Sequence, residues 1–205
     1  MDPFYQIEAF ERQIAEYTGA PFCIAVDCCT HAIELAMRYD RVKETSFTAY
    51  TYLSVIMVFH RLGIKYTLLD DRWQQQYRFH GTRIVDSARH MSPNMYEPGT
   101  ITCLSFGRGK PLDLHRGGAL LLDDREAYER LRLVRYDGRD LTILPWQNQK
   151  RFPASFHYKL TPDEAALGIE KMNRKEFTPN QPNWDFYFDT RQIEIYDDWI
   201  SGPNV

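Results

Sequence analysis

The sequence predicts an α/β fold, one sheet covered by helices on both faces. Two observations carry that prediction. Short, wholly apolar runs, among them FCIAV at 22–26 and ALLL at 119–122, read as strands buried on both sides. Between such runs lie segments with apolar residues every three or four positions, the pattern of helices with one buried face. Strands alternating with helices require a sheet sandwiched between helical layers.

The elements follow in order. Phe4, Ile7, Phe10, Ile14 and Tyr17 define a first helix, ended by Gly19. The run 22–26 is a strand, and 30–39 a helix. Residues 45–47 form a short strand, and 53–62 a helix that stops at Gly63. Strands at 66–69 and 83–85 flank a polar segment, 72–81. A strand pair at 101–104 and 119–122 encloses a turn, and 125–134 is a helix with a charged face. Thr161-Pro162-Asp163-Glu164 is a capping box with proline at the first helical position, opening a helix that runs to Asn173. From Lys175 the chain reads as an extended tail. Its aromatics Trp184, Phe186, Tyr187, Phe188 and Trp199 need something to pack on.

Composition narrows the function classes. With 43% hydrophobic and 14% aromatic residues in 205, the chain can build a core, so general disorder is excluded. A net charge of -3 with scattered basic residues argues against a nucleic-acid surface. No uncharged apolar run approaches the roughly 20 residues that span a bilayer. The acidic N-terminus is unlike a signal peptide. Cys23, Cys28, Cys29 and Cys103 sit in or beside apolar segments without metal-ligand spacing, so no metal is expected. They read as buried reduced thiols, and the expected setting is cytoplasmic.

The stretch GTITCLSFGRGKPLDLHRGGALLLDD holds Lys110 on a turn between two buried strands, with Ser105-Phe106 before it and Gly117-Gly118 after. Cys29-Thr30 opens a helix directly after a strand, where unpaired N–H groups favour an anion. Asp86 ends an apolar strand, where a carboxylate needs a partner. Taken singly, each residue has an ordinary reading. Thr30 could be an N-cap, Tyr52 a core ring, Asp86 half of a salt bridge and Lys110 a solvated lysine.

Four separated segments in one order, from Phe10 to Met172, change the weighting. FERQIAEYTGAPFCIAVDCCTHAIELAM resembles F-E-x-x-x-A-x-Y-x-G…A-V-x-S-G-T-x-A-L, and SFTAYTYL resembles P-x-x-T-F/Y. TRIVDSARHM resembles I-x-D-A-A-Q/H, and the Lys110 loop matches S-F-x-x-x-K-x-x-x-x-x-x-G-G. Further on, LRLVRYDGRD resembles L-R-x-x-G-R-x, and FHYKLTPDEAALGIEKM resembles G-Y-N-Y-R-M-x-x-x-x-A-A-x-G-x-x-Q-L. These are the motifs of the DegT/DnrJ/EryC1/StrS sugar aminotransferases, which use pyridoxal phosphate (PLP).

The resemblance implies a three-layer αβα sandwich, the large domain of a type I PLP-dependent transferase lacking most of the C-terminal domain. The division expected is a reduced PLP-binding domain at 1–174 and an aromatic tail at 175–205. Implied catalytic residues are Lys110, which would carry PLP, and Asp86, which would pair with the ring nitrogen. Implied cofactor contacts are Cys29, Thr30, Tyr52, Asp86, Arg89, Ser105, Lys110 and His157. Tyr52 would lie over the ring, Ser105 would bind phosphate, and His157 would reach the phosphate of a second subunit. A homodimer with shared sites is therefore implied. The implied reaction moves an amino group from an amino acid, glutamate by expectation, to a keto group of a nucleotide-linked deoxy sugar for surface polysaccharide. Other PLP chemistry such as sugar dehydration, or a non-catalytic dimeric scaffold, are the alternatives. Retained Lys110 argues against the dehydratases, where histidine usually replaces it.

The sequence departs from the motifs in places. Cys29, Arg89, Arg116 and His157 stand where glycine, glutamine, glutamate and asparagine are usual, and Gly107-Arg108-Gly109 replaces a His-Pro-Thr type of turn. The segment between Asp71 and Thr82 is too short for the extra strand and helices expected there, and the tail aromatics are expected to cover that gap or to dock on a partner chain.

Overall fold

The computed structural model describes residues 4–180 and 184–196. Trp199, one of the tail aromatics, lies outside the described residues. The elements are α1 (Tyr5–Thr18), β1 (Phe22–Val26), α2 (Cys29–Tyr39), β2 (Glu44–Thr48), α3 (Leu53–Leu62), β3 (Lys65–Leu69), β4 (Tyr77–Arg78), β5 (Ile84–Ser87), β6 (Ile101–Ser105), β7 (Gly118–Leu122), α4 (Arg125–Val134) and α5 (Pro162–Asn173). The principal sheet has the order β1-β7-β6-β5-β4, with β5 and β6 parallel and the other pairs antiparallel. Strands β2 and β3 form a parallel pair, linked to the rest by a bridge between Ser46 and His80.

Alternation along the strands assigns each side chain to a layer. Ile24, Val26, Ile101, Cys103, Leu120 and Leu122 enter one buried cluster with α2, α3 and α4. Cys23, Ala25, Leu104, Ala119 and Leu121 enter the other with α1 and α5. The result is the three-layer αβα arrangement, and β1 and β7, which lie between the layers, are apolar on both faces for that reason. α2 is buried nearly all round because the sheet and two helices surround it.

Local signals behave as their chemistry dictates. Gly19 ends α1 in the left-handed region, where a side chain would be strained. The Thr161–Glu164 capping box is complete, with both reciprocal bonds made. Gly168 lets α5 press on α1, since a Cβ there would stand 2.4 Å from the Phe10 ring. Glu11 on α1 pairs with Arg135 after α4, and both bond the Ala25 backbone. Removing one partner from such a buried pair costs about 3–5 kcal/mol.

Two sequence expectations need correction. α2 begins at Cys29, so its N-cap is Cys28, and Thr30 lies inside the first turn. The segment 72–81 is not a polar connection. Trp73, Tyr77 and Phe79 in it are buried, and β4 is added antiparallel to β5. The three glutamines before Tyr77 hid a short alternating strand.

The tail folds back on its own chain. Thr178 N–H donates to the Pro111 carbonyl, and Asn180 accepts from Met91 N–H. Trp184 packs on Tyr50 at 4.6 Å between ring centres, and Thr190 donates through backbone and hydroxyl to the Ala49 carbonyl.

Candidate active site

β1, β5 and β6 run in the same direction, and their carboxyl ends open on a cavity of about 460 Å³. Ligands bind at that end of α/β sheets because loops and helix N-termini gather there. Cys29, Thr30, Tyr52, Asp86, Arg89, Ser105 and Lys110 all line this cavity, seven of the eight side chains named from sequence. The eighth, His157, lies elsewhere: it is exposed and bonded to the Asp137 carboxylate at 2.9 Å.

The first turn of α2 forms one wall. No side chain caps it, and Cys28, Cys29 and Thr30 line the cavity, so an anion there could take its free N–H groups. The Thr30 hydroxyl lies 2.6 Å from that of Ser54, fixing both beside this turn. Gly118 on β7 makes the close approach possible, since a Cβ there would lie 2.5 Å from Cys29 N. Ser105 ends β6 on the same side.

Lys110 sits in the β6–β7 loop, in a turn closed by its own N–H on the Gly107 carbonyl. Burial, and then the charge of Arg89, push its ammonium below the usual lysine range. Asp86 is buried on the sheet floor, accepting from Ala88 N–H at 2.9 Å and the Tyr77 hydroxyl at 2.6 Å. Burial raises its carboxyl, while Tyr77, Ala88 and Lys110 oppose the rise. A buried carboxylate held by neutral donors and facing a cavity is suited to a cationic nitrogen.

Three groups in or beside the cavity were not among the site residues named from sequence. Tyr77 holds Asp86. Tyr187, on the tail, lines the cavity, its hydroxyl pushed up to about 12 by burial and by Asp86. Phe186 beside it lies 3.7 Å from the Arg89 guanidinium. For Phe186 and Tyr187 the unpartnered aromatics of the tail were the signal, read as cover for the gap or as a contact with a partner chain. At the rim, Asp27 meets His31 at 2.6 Å and Arg116 at 3.0 Å. Asp27, Cys28 and His31 are close enough to share an ion, but His31 and Arg116 already take the two carboxylate oxygens, and the group reads as an ion-pair network.

The family model of the DegT/DnrJ/EryC1/StrS aminotransferases matches residues 4–76 and 90–187, well over half of the chain. The chain belongs to that family. Among solved structures it is similar to 3-amino-5-hydroxybenzoic acid synthase, with 21% identity, a TM-score of 0.67, and coverage of 83% of this chain and 56% of that one. AtS13 from Actinomadura melliaura gives 20% identity and a TM-score of 0.72, covering 83% and 60%. The sugar aminotransferase CalS13 from Micromonospora echinospora gives 15% and 0.67, covering 83% and 61%. These likenesses establish the type I transferase fold in this family member. The chain spans less than two thirds of the length of these structures. No curated protein matches it significantly. Among the described residues, no helix is long and apolar enough to cross a membrane.

Proposed function

We propose that this chain binds PLP and transfers an amino group from an amino acid, glutamate first among donors, to the keto group of a nucleotide-linked deoxy sugar. The observation that carries the reading is the meeting of Lys110, Asp86 and the uncapped start of α2 in one cavity. The residues fit the group. α2, Thr30 and Ser105 would hold a phosphate, Tyr52 would lie over a ring, and Asp86 would pair with a ring nitrogen. When bound, PLP supplies an aldehyde that takes up the donor's amino group and a ring that accepts electrons as it does so.

The chain's own groups do the rest. Lys110, lowered by burial and Arg89, is held as the free amine in a larger fraction than an exposed lysine, so its Nζ can accept a proton and, once protonated, give it up again readily. Asp86 keeps a positive charge on the atom it pairs with. Tyr187 and the tail exclude water on the side that the shortened segment leaves open.

We propose further that the working unit is a homodimer, with His157 reaching the partner's phosphate. Tyr52 at 64% exposed, with Leu53 and Met57 beside it, supports the pairing, because this apolar edge borders the cavity. Four free cysteines support a cytoplasmic setting, and a surface-polysaccharide role is the family expectation.

The test is a single-turnover reaction of the PLP-loaded protein with glutamate. One equivalent of 2-oxoglutarate per bound PLP supports the transferase. PLP retained without keto-acid release from any amino acid would contradict it, and a protein that ignores PLP would be a scaffold.

A further inference from the structure

The shortened segment between Asp71 and Thr82 delivers one buried polar group. We infer that Tyr77 is a positioning residue for Asp86, holding its carboxylate ready for a cationic ring nitrogen through a Thr51–Tyr77–Asp86 hydrogen-bond chain. The inference rests on the PLP reading above for the identity of the ligand, but the chain of bonds stands apart from it.

The geometry is set by backbone register. β4 pairs antiparallel with β5 so that Tyr77 stands directly opposite Asp86. Directly opposed side chains lie on the same face and meet. The Tyr77 hydroxyl donates to Asp86 Oδ2 at 2.6 Å. Its single proton is then used, so the Thr51 hydroxyl, also at 2.6 Å, donates to the Tyr77 oxygen. Ala88 N–H holds Oδ1 at 2.9 Å. Both oxygens are thereby fixed in direction, and Asp86 faces the cavity with its remaining acceptor capacity. The Tyr77 ring packs at 5.5 Å from Trp73 and 5.4 Å from Phe79, so its position does not depend on the hydroxyl.

A buried carboxylate binds its proton too tightly to serve as a counterion unless donors favour the ionised form. The ionisable groups around Asp86 are Tyr77 from β4, Cys103 from β6, Cys29 from α2, Lys110 from the β6–β7 loop, Tyr187 from the tail and Arg89 just along its own strand end. Tyr77 is the side chain among them that donates directly to the carboxylate. Loss of its hydroxyl should let burial raise Asp86 further, so that protonation competes with the ring nitrogen at higher pH.

The experiment uses Tyr77→Phe in the full-length chain and two readouts. In the apo-protein, side-chain ¹³C NMR of labelled aspartate, assigned by the signal lost in Asp86→Asn, follows the Asp86 titration. Its midpoint should rise by about one pH unit in Tyr77→Phe, the scale of a hydrogen bond to a charged group. In parallel, PLP titration should give a Kd about tenfold weaker than wild type at pH 6, with a smaller difference at pH 8.5. An unmoved midpoint overturns the inference whether or not PLP binds. A moved midpoint with an equal loss of PLP affinity at both pH values overturns it too, since Tyr77 would then only shape the pocket. Wild-type protein that binds no PLP would overturn the PLP reading and the positioning role together, while leaving the Tyr77–Asp86 bond established by the NMR.

Discussion

Gly118 and Cys29 are as close as backbone allows: a Cβ on Gly118 would stand 2.5 Å from Cys29 N and 2.6 Å from the Cys28 carbonyl carbon. The obstacle is backbone on a buried helix start, which cannot swing aside as a side-chain end can. Gly118→Ala should therefore push the first turn of α2 away from β7. We expect a loss of about 1–3 kcal/mol in stability, the scale of an overpacked core, and PLP retention reduced at least tenfold. Thermal melts with and without PLP check both. A variant that melts and binds PLP as wild type would mean the close approach is not what builds the phosphate wall.

His31 carries a pH prediction. Burial lowers its proton affinity, but hydrogen bonds to Asp27 and Cys28 outweigh that, and its pKa is pushed up to about 9. A histidine raised on folding contributes stability that is full below its unfolded value near 6.5 and is lost as pH rises through 9. His31→Gln should therefore be less stable than wild type at pH 6–7, by about 1–2 kcal/mol after solvent screening. The gap should narrow above pH 10 to what the loss of the ring stacked on Tyr158 leaves. Denaturant melts across that range would refute the assignment if the gap widened with pH.

Most of the fold was legible because the signals were local and agreed with one another. Gly19, Gly63 and the Thr161 capping box ended or opened helices where the apolar period did. The site was legible where spacing along one segment fixes geometry, as around Ser105, Lys110 and Gly118. Tyr77 was not, because its role depends on pairing with β5 and its neighbours are glutamines. Tyr187 was legible only as one of several tail aromatics seeking cover, because the tail's path is set by distant bonds to Ala49, Met91 and Pro111 and by no local period.

Tyr187 lines the cavity from a segment tied down at Thr190, and its ring is placed to slow the escape of a bound group. Tyr187→Ala should accelerate PLP dissociation about tenfold with little change in melting temperature of the apo-protein. Stopped-flow measurement of PLP release tests this. Tighter PLP binding in the variant would show that the ring competes with the cofactor instead of covering it.

His157 lies outside the cavity of its own chain, so a role at the site requires a second copy. Lys110→Ala and His157→Ala, each inactive alone, should regain activity when mixed. One of the two sites in each mixed dimer carries neither lesion, so about a quarter of wild-type activity is the expectation for random pairing. Mixed dimers that form and stay inactive would mean each site is built from one chain.

If Lys110 is the lysine that joins PLP, it is the one that borohydride traps. The most direct measurement is borohydride reduction of the PLP-treated protein followed by peptide mass mapping. One pyridoxyl group per chain is expected, on Lys110 and absent from a folded Lys110→Ala variant. A pyridoxyl group mapped to Lys43, Lys65 or any other lysine, or none at all on protein saturated with PLP, would contradict it.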